Sequence, residues 1–399
     1  MQGKAIVITG LGVISSIGFG KEKFFANLCN GQDGTEMIKS TSLDGFKRKY
    51  ACEVKEDLAE LKDKNINNRA LQMALMAVDE AVKDAKLTKV EAREKIALSL
   101  GTTNSGALEF EKWYCAEKDK HEKETAKSIL EQYPLHHVAE SISSTMNFKG
   151  LSNTAMTACA SGATAIVTAC QWLQAGRAEI VVCGGVDVFK PSTHLQLSQL
   201  RVIAPDATKP FDKNRHGFLL GEGAGILVLE TEESARRRNA KIYGSILGYG
   251  MSCDAHDVSN PDTNGLILAV KRAIKMAGIS YEDVSMIKAQ GTGSAHGDKA
   301  EIKAMNELFG KCKDIEMTSF KGALGHTTGA AGGIEAVAAV LSIVNQQIAP
   351  TIHTTECDPA CEIDIVLQKF KKREIKTVLA NYFGFGGNNV SLIFGGEAI

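Results

Sequence analysis

A chain of 399 residues with 38 Gly, only 7 Pro, 44% hydrophobic and 23% charged residues has the composition of a globular protein. No G-X-Y period accompanies the glycines, so it is not collagen-like, and a high apolar fraction with a net charge of only -1 rules out a disordered chain. Lys+Arg 46 against Asp+Glu 47 leaves no basic face to neutralise phosphates, so nucleic acid is excluded as a partner.

The length suggests two or three domains and is ample for a sizeable core. At the N-terminus, Ala5-Ile-Val-Ile-Thr9 reads as a strand. It lacks a basic segment, an apolar stretch and a small-residue cleavage site, so the expectation is a cytoplasmic protein. Gly10-Leu-Gly12 follows it, but the next glycine is Gly18, and the spacing is not that of a dinucleotide-binding turn.

Asn68 to Lys83 carries apolar residues at i, i+3, i+4 and i+7 and predicts an amphipathic helix, followed by a strand at Ile96-Ala-Leu-Ser-Leu100. The charged stretch from Glu111 to Lys127 reads as a solvated surface insertion. Gly150 to Gly176 is free of charge but rich in Ser, Asn, Thr and Gln, which argues against a bilayer span and a membrane partner.

Strands at Ile180 to Cys183, Gly225 to Glu230 and Thr377 to Ala380, and a helix from Leu266 ending on Gly278, complete the pattern. Strands alternating with helices predict an α/β fold with a largely parallel sheet. The ten cysteines form no disulfide framework in such a chain. The close pair Cys357 and Cys361 lacks the further ligands of a zinc site, so no metal is expected.

The order of signals repeats. Ser99-Leu-Gly-Thr-Thr-Asn104 follows the first helix as Ala289-Gln-Gly-Thr-Gly-Ser294 follows the second. A small-residue turn enters a helix at Ala158-Cys-Ala-Ser-Gly162 and again at Gly325-His-Thr-Thr-Gly-Ala-Ala-Gly-Gly333. Leu220-Gly-Glu-Gly-Ala-Gly225 and Phe383-Gly-Phe-Gly-Gly387 are both glycine-rich turns into strands. The chain therefore reads as two homologous halves, 1–240 and 241–399, packed face to face.

Cys159 sits at the start of a predicted helix, among small residues that leave room for a substrate. Backbone N–H groups and the helix dipole there favour a thiolate. Taken alone, the segment fits a packing cysteine equally well. Duplication adds His326 at the matching helix start, where a thiol and an imidazole can share one site. His121, His136, His137, His194, His256 and His353 have no such context and read as surface or polar packing residues.

Five ordered motifs carry a resemblance over essentially the whole chain: Thr157-Ala-Cys-Ala-Ser-Gly162, Pro210 to Phe218 with Gly221-Glu-Gly-Ala-Gly225, Gly297-Asp-Lys-Ala-Glu301, Lys321-Gly-Ala-Leu-Gly-His326 with Gly329-Ala-Ala-Gly332, and Phe383 to Gly387. Together they resemble the β-ketoacyl-acyl carrier protein synthases of the thiolase superfamily, the elongating type most closely. The resemblance implies a thiolase-like α/β fold of two duplicated mixed-sheet halves in a five-layer α/β/α/β/α sandwich, a homodimer or heterodimer, and an acyl carrier protein as partner. There is no cofactor beyond the phosphopantetheine that carries the substrates.

It also implies a two-stage reaction. Cys159 takes an acyl group, with the N–H groups of Cys159 and Phe385 as oxyanion hole. Malonyl thioester then loses CO2 with His326 stabilising the enolate. Lys321 and Glu301 form a supporting ion pair, Phe383 and Phe385 frame the site, Thr292 and Ser294 line the pantetheine tunnel, and Asn104 borders the acyl pocket.

The departure from the family is Gln290, where a first catalytic histidine is expected. A glutamine amide can donate an N–H but has no titratable nitrogen, so it cannot act as a base. His296, six residues on, is a possible substitute. Ser294 and Asn388 stand in place of Thr, and His216 in place of Asp. Three uses are compatible with this triad: a condensing enzyme with altered chemistry, a chain-length-factor-like partner subunit, or a non-decarboxylating acyltransferase. The glutamine and Asn104 favour a specialised lipid or polyketide route.

Overall fold

The computed structural model describes residues 5–42, 44–56, 58, 68–87, 93–104, 106–118 and 130–396. In the first half, strand β1 (Ile6–Ser15) is followed by helix α1 (Arg69–Asp84), β2 (Ile96–Gly101), α2 (Ala107–Lys118), β3 (Ser152–Ala155), α3 (Ser161–Gln174), β4 (Ile180–Asp187) and β5 (Gly223–Thr231). The second half runs β6 (Gly244–Cys253), α4 (Thr263–Ala277), β7 (Met286–Lys288), α5 (Ala295–Phe309), β8 (Glu316–Thr318), α6 (Ala331–Asn345), β9 (Thr377–Gly384) and β10 (Asn388–Gly395).

The strands order as β1-β5-β4-β2-β3 in one half and β6-β10-β9-β7-β8 in the other. Both sets have two antiparallel pairings followed by two parallel ones. This is the expected duplication in structural form, and β1 pairs with β6 so that one sheet runs through both halves. The sheet is mixed, as the family resemblance implies, and not largely parallel, as strand and helix alternation alone suggests. Residues 188–222 return the chain from β4 to β5 without a crossover helix packed on the sheet, a path that strand and helix periodicity does not reveal.

Strand alternation fixes the layers. Along β4, Ile180 and Val182 join one core while Val181 and Cys183 join another. Along β5, Ile226 and Val228 face the first and Leu227 and Leu229 the second. The first core is capped by α1, and the second holds α3 and α6 between the sheet halves. A third core lies under α4 and α5. That is the five-layer α/β/α/β/α order.

Local chemistry supports the elements. Asn68 caps α1 by accepting from Leu71 N, Asp262 caps α4, and Gly278 ends α4 with φ 68 as a left-handed cap. Thr328–Asn345, which contains α6, is apolar and long enough to cross a bilayer, but it is buried between the sheet halves. In the charged insertion, Glu111 is not merely solvated: it accepts from Ser192 Oγ and lies 3.5 Å from Lys190 Nζ. Residues 119–127 of that stretch, His121 among them, lie outside the described residues.

The two central helices approach through backbone. A Cβ on Gly332 would stand 2.0 Å from Ala163 N, and one on Gly162 would stand 2.8 Å from Gly329 O. Both neighbours are backbone and cannot yield. Gly332→Val is therefore expected to cost about 3 kcal/mol or more of stability, read as a fall in thermal midpoint and soluble yield.

Candidate active site

Cys159 is presented by a tight turn between β3 and α3. Ala158 adopts φ 49, which folds the chain back sharply. Ser161 locks the turn, its Oγ accepting from Thr157 N at 2.9 Å and donating to Ala158 O at 2.6 Å. The loop after β9 lies directly over it: a Cβ on Gly384 would sit 3.2 Å from Cys159 N.

His326 comes from the matching position of the other half, after the short helix Lys321–Leu324. Its N–H donates to Leu219 O at 2.7 Å, its carbonyl accepts from Gly221 N at 3.0 Å, and Phe218 packs edge-on against its ring. Nε2 stands 3.0 Å from Cys159 Sγ. Nδ1 has no hydrogen-bond partner among the described residues, so no contact fixes the tautomer.

Gln290 is 5% exposed and held at both ends. Nε2 donates to Phe383 O at 2.9 Å and Oε1 accepts from Lys321 Nζ at 3.3 Å. Flipping the amide would set oxygen against a carbonyl and NH2 against an ammonium, so the network determines its orientation. One N–H is taken by Phe383 and the other is left for the cleft.

The expected ion pair between Lys321 and Glu301 is not formed. Lys321 Nζ lies 2.6 Å from Glu335 Oε1, on α6. Glu335 Oε2 accepts from Lys288 Nζ at 2.5 Å, and Lys288 also donates to Asn381 O at 2.6 Å beneath the Tyr382 ring. Glu301 instead accepts from the N–H groups of Gln290 and Gly291, both at 2.8 Å. These donors are left over where β7 ends, and α5 carries Glu301 beneath that turn, whereas α6 runs beside Lys321.

A cleft of about 570 Å³ opens onto Cys159, His326 and Gln290. Phe218, Phe383 and Phe385 line its apolar side, and Thr292, Ser294 and Asp298 its polar side. Ser294 also caps α5 by accepting from Gly297 N. The segment from Asp257 to Pro261 also lines the cleft and is joined to the Phe385 loop by Gly386 N donating to Val258 O at 2.9 Å. His296 is exposed on the first turn of α5 and does not line the cleft, so it does not replace the missing imidazole.

Asn104 does not line this cleft either. Its N–H donates to Asp187 Oδ1 at 2.8 Å. Asp187 draws the 102–104 turn to the junction of the halves. It also accepts from Thr102 and Thr103 of one half and from Thr328 Oγ1 and Gly329 N, each at 2.6 Å, of the other. Of the remaining histidines, His194 is buried and stacks on Phe46, and His353 lies 3.0 Å from Asp33.

Burial pushes the Cys159 thiol up to about 11, against the N–H of Phe385 and the charge of Lys321, which favour the thiolate. The resting nucleophile is thus a thiol, not the thiolate expected from the helix start. Burial, reinforced by Lys321 and Lys288, holds His326 well below the usual imidazole range, so its partner is neutral imidazole. Burial also lowers Lys288 to about 8 against the pull of Glu335.

A thiol facing a neutral imidazole, beneath two backbone N–H groups, defines an acyl-transfer site built on a cysteine nucleophile. The family profile described as Beta-ketoacyl synthase, N-terminal domain matches residues 3–235, and that of the C-terminal domain matches residues 243–355. The chain belongs to the β-ketoacyl synthase family.

It is similar to 3-oxoacyl-[acyl-carrier-protein] synthase 2 of Staphylococcus aureus (strain COL), at 34% identity over 409 residues and 98% of each chain. The synthase 2 of Synechocystis sp. is 33% identical, over 99% of this chain and 98% of its own. Among solved structures, the ishigamide ketosynthase/chain length factor superposes with a TM-score of 0.94 at 33% identity, over 99% of this chain and 100% of that one. The ketosynthase ApeO in complex with its chain length factor ApeC, from Xenorhabdus doucetiae, gives 0.87 at 26%, over 99% and 98%.

Sequence reasoning missed Glu335, Lys288 and Asp187. A signal existed for the first two: Glu335 is the lone charge in the apolar run Ala331 to Asn345, and Lys288 the lone charge in Met286–Lys288, and such charges are buried only when paired. Because the thiol titrates near 11, its alkylation by iodoacetamide should rise about tenfold per pH unit from pH 7 to 10. A plateau below pH 8, followed by intact mass, would instead reveal a preformed thiolate.

Proposed function

We propose that the chain is a condensing enzyme that lengthens acyl chains carried on the phosphopantetheine of an acyl carrier protein. It would act in the cytoplasm as a homodimer or paired with a second synthase, its two halves dividing at residues 240 and 241. The observation that carries this reading is Cys159 Sγ 3.0 Å from His326 Nε2, under the Phe385 N–H.

As Sγ attacks the acyl thioester, its proton passes to His326 Nε2 and then to the departing pantetheine sulfur. The N–H groups of Cys159 and Phe385 hold the tetrahedral oxyanion. A malonyl thioester then enters past Thr292 and Ser294. Its carboxylate leaves as CO2, and the electron pair becomes an enolate whose oxygen accepts from the free N–H of Gln290 and, once neutral His326 has exchanged its ring proton from Nδ1 to Nε2 through solvent, from His326 Nε2–H.

The enolate carbon attacks the acyl-cysteine, the C–S bond breaks, and Cys159 thiolate regains a proton from solvent. His326 remains neutral before and after each stage. Phe385 gates the acyl side of the cleft. Gln290 donates but never accepts a proton, a restriction that fits a specialised lipid or polyketide route.

Intact mass tests this directly. Acyl-carrier protein should place one acyl group on Cys159, and malonyl-carrier protein should remove it with release of CO2; Cys159→Ala should give no adduct. Chain length factors among the structural relatives keep a second reading alive. If no adduct forms and the chain is soluble only with another synthase, it is a partner subunit. A stable adduct passed to an amine or alcohol without CO2 would make it an acyltransferase. Gln290→His should change the rate of CO2 release at least threefold while leaving acylation of Cys159 unchanged.

A further inference from the structure

Four fully buried charges stand behind Gln290. Lys288 and Lys321 share the two oxygens of Glu335, at 2.5 and 2.6 Å. Glu301 accepts from the Gln290 and Gly291 N–H groups on the other side of the turn. All four side chains are at most 1% exposed as residues. Two cations and two anions balance. Of the four, Lys321 alone touches the Gln290 side-chain amide, at 3.3 Å, while Lys288 makes no contact with that amide and adjoins Lys321 only through Glu335.

Remove Lys288 and the sum becomes one cation against two anions. That deficit would lie in a dry interior, where charge is weakly screened, directly behind the point at which the malonyl enolate gains negative charge. An imidazole at position 290 could answer with a proton of its own. An amide cannot. Resting on the condensing reading above, we infer that Lys288 is a positioning residue for decarboxylation. It neutralises the second charge of the Glu335 and Glu301 pair, so that Lys321 stays on Gln290 and the free amide N–H meets the enolate in an uncharged surround.

Acylation draws on Lys288 less, because its oxyanion is held by the N–H groups of Phe385 and Cys159. The two half-reactions should therefore separate. In Lys288→Met, kcat for CO2 release from malonyl-carrier protein should fall 10- to 100-fold with KM within twofold, while acylation of Cys159 stays within threefold of wild type. Glu335→Gln added to Lys288→Met restores the balance, with Lys321 against Glu301, and should bring CO2 release back to within threefold of wild type.

A residue that only filled space would not be rescued by altering its neighbour. Removing the stranded carboxylate also yields a variant that folds if Lys288→Met does not. CO2 release that survives Lys288→Met, or a double variant still more than tenfold below wild type, overturns the assignment while the condensing reading stands. Wild-type chain that acylates but releases no CO2 overturns both.

Discussion

The site depends on how closely two helices can come together. Cys159 stands just before α3 and His326 in the turn between the Lys321–Leu324 helix and α6, one from each half, and the two segments meet where Gly162 lies against Gly329 and Gly333. Side chains there would separate the helices by the width of a methyl group or more. Sγ and Nε2 would then stand too far apart to share a proton. Asp187 reinforces the seam by accepting N–H and O–H groups from both halves. Much of the glycine excess in the composition is thus spent on one requirement, contact between backbones at a duplicated interface.

Bringing the halves together also buries charge, and that charge is paired: Lys321 and Lys288 share Glu335. Burial, reinforced by Lys321 and Lys288, keeps His326 from accepting a resting proton, and burial keeps Cys159 as a thiol. Neither partner carries a charge until substrate arrives. In the proposed reaction, transfer of a proton from sulfur to nitrogen then creates an ion pair at the moment when the acyl oxygen needs donors. Negative charge is met by N–H groups already aimed at it, which require no reorganisation.

The duplicated order of strands, the thiol and imidazole at matching helix starts, and the glycine turns were legible because each leaves a local mark: β-branched runs, small residues before an apolar helix, paired Gly-rich turns. What was not legible is pairing at a distance. Lys321 faces Glu335, not Glu301, because α6 passes beside it while α5 passes beneath the Gln290 turn, and motif spacing does not encode which helix is nearer. The anchoring of Asn104 is hidden for a similar reason. Its backbone is held by Asp187, a residue at the end of β4 whose contacts appear only when the sheet is assembled.

Gln290 is where these threads meet. A histidine there could exchange protons, and its field would change with its state. The amide is fixed by Phe383 O and Lys321, so it offers one unchanging donor. With titration removed from this position, the burden of matching the enolate in the proposed reaction falls on the paired charges around it. Those charges are buried, paired and held by α5, α6, β7 and the short helix at Lys321. Catalytic tuning in this chain thereby moves from the protonation state of one side chain to the packing of four, which ties the chemistry to the stability of the helix and sheet layers that hold them.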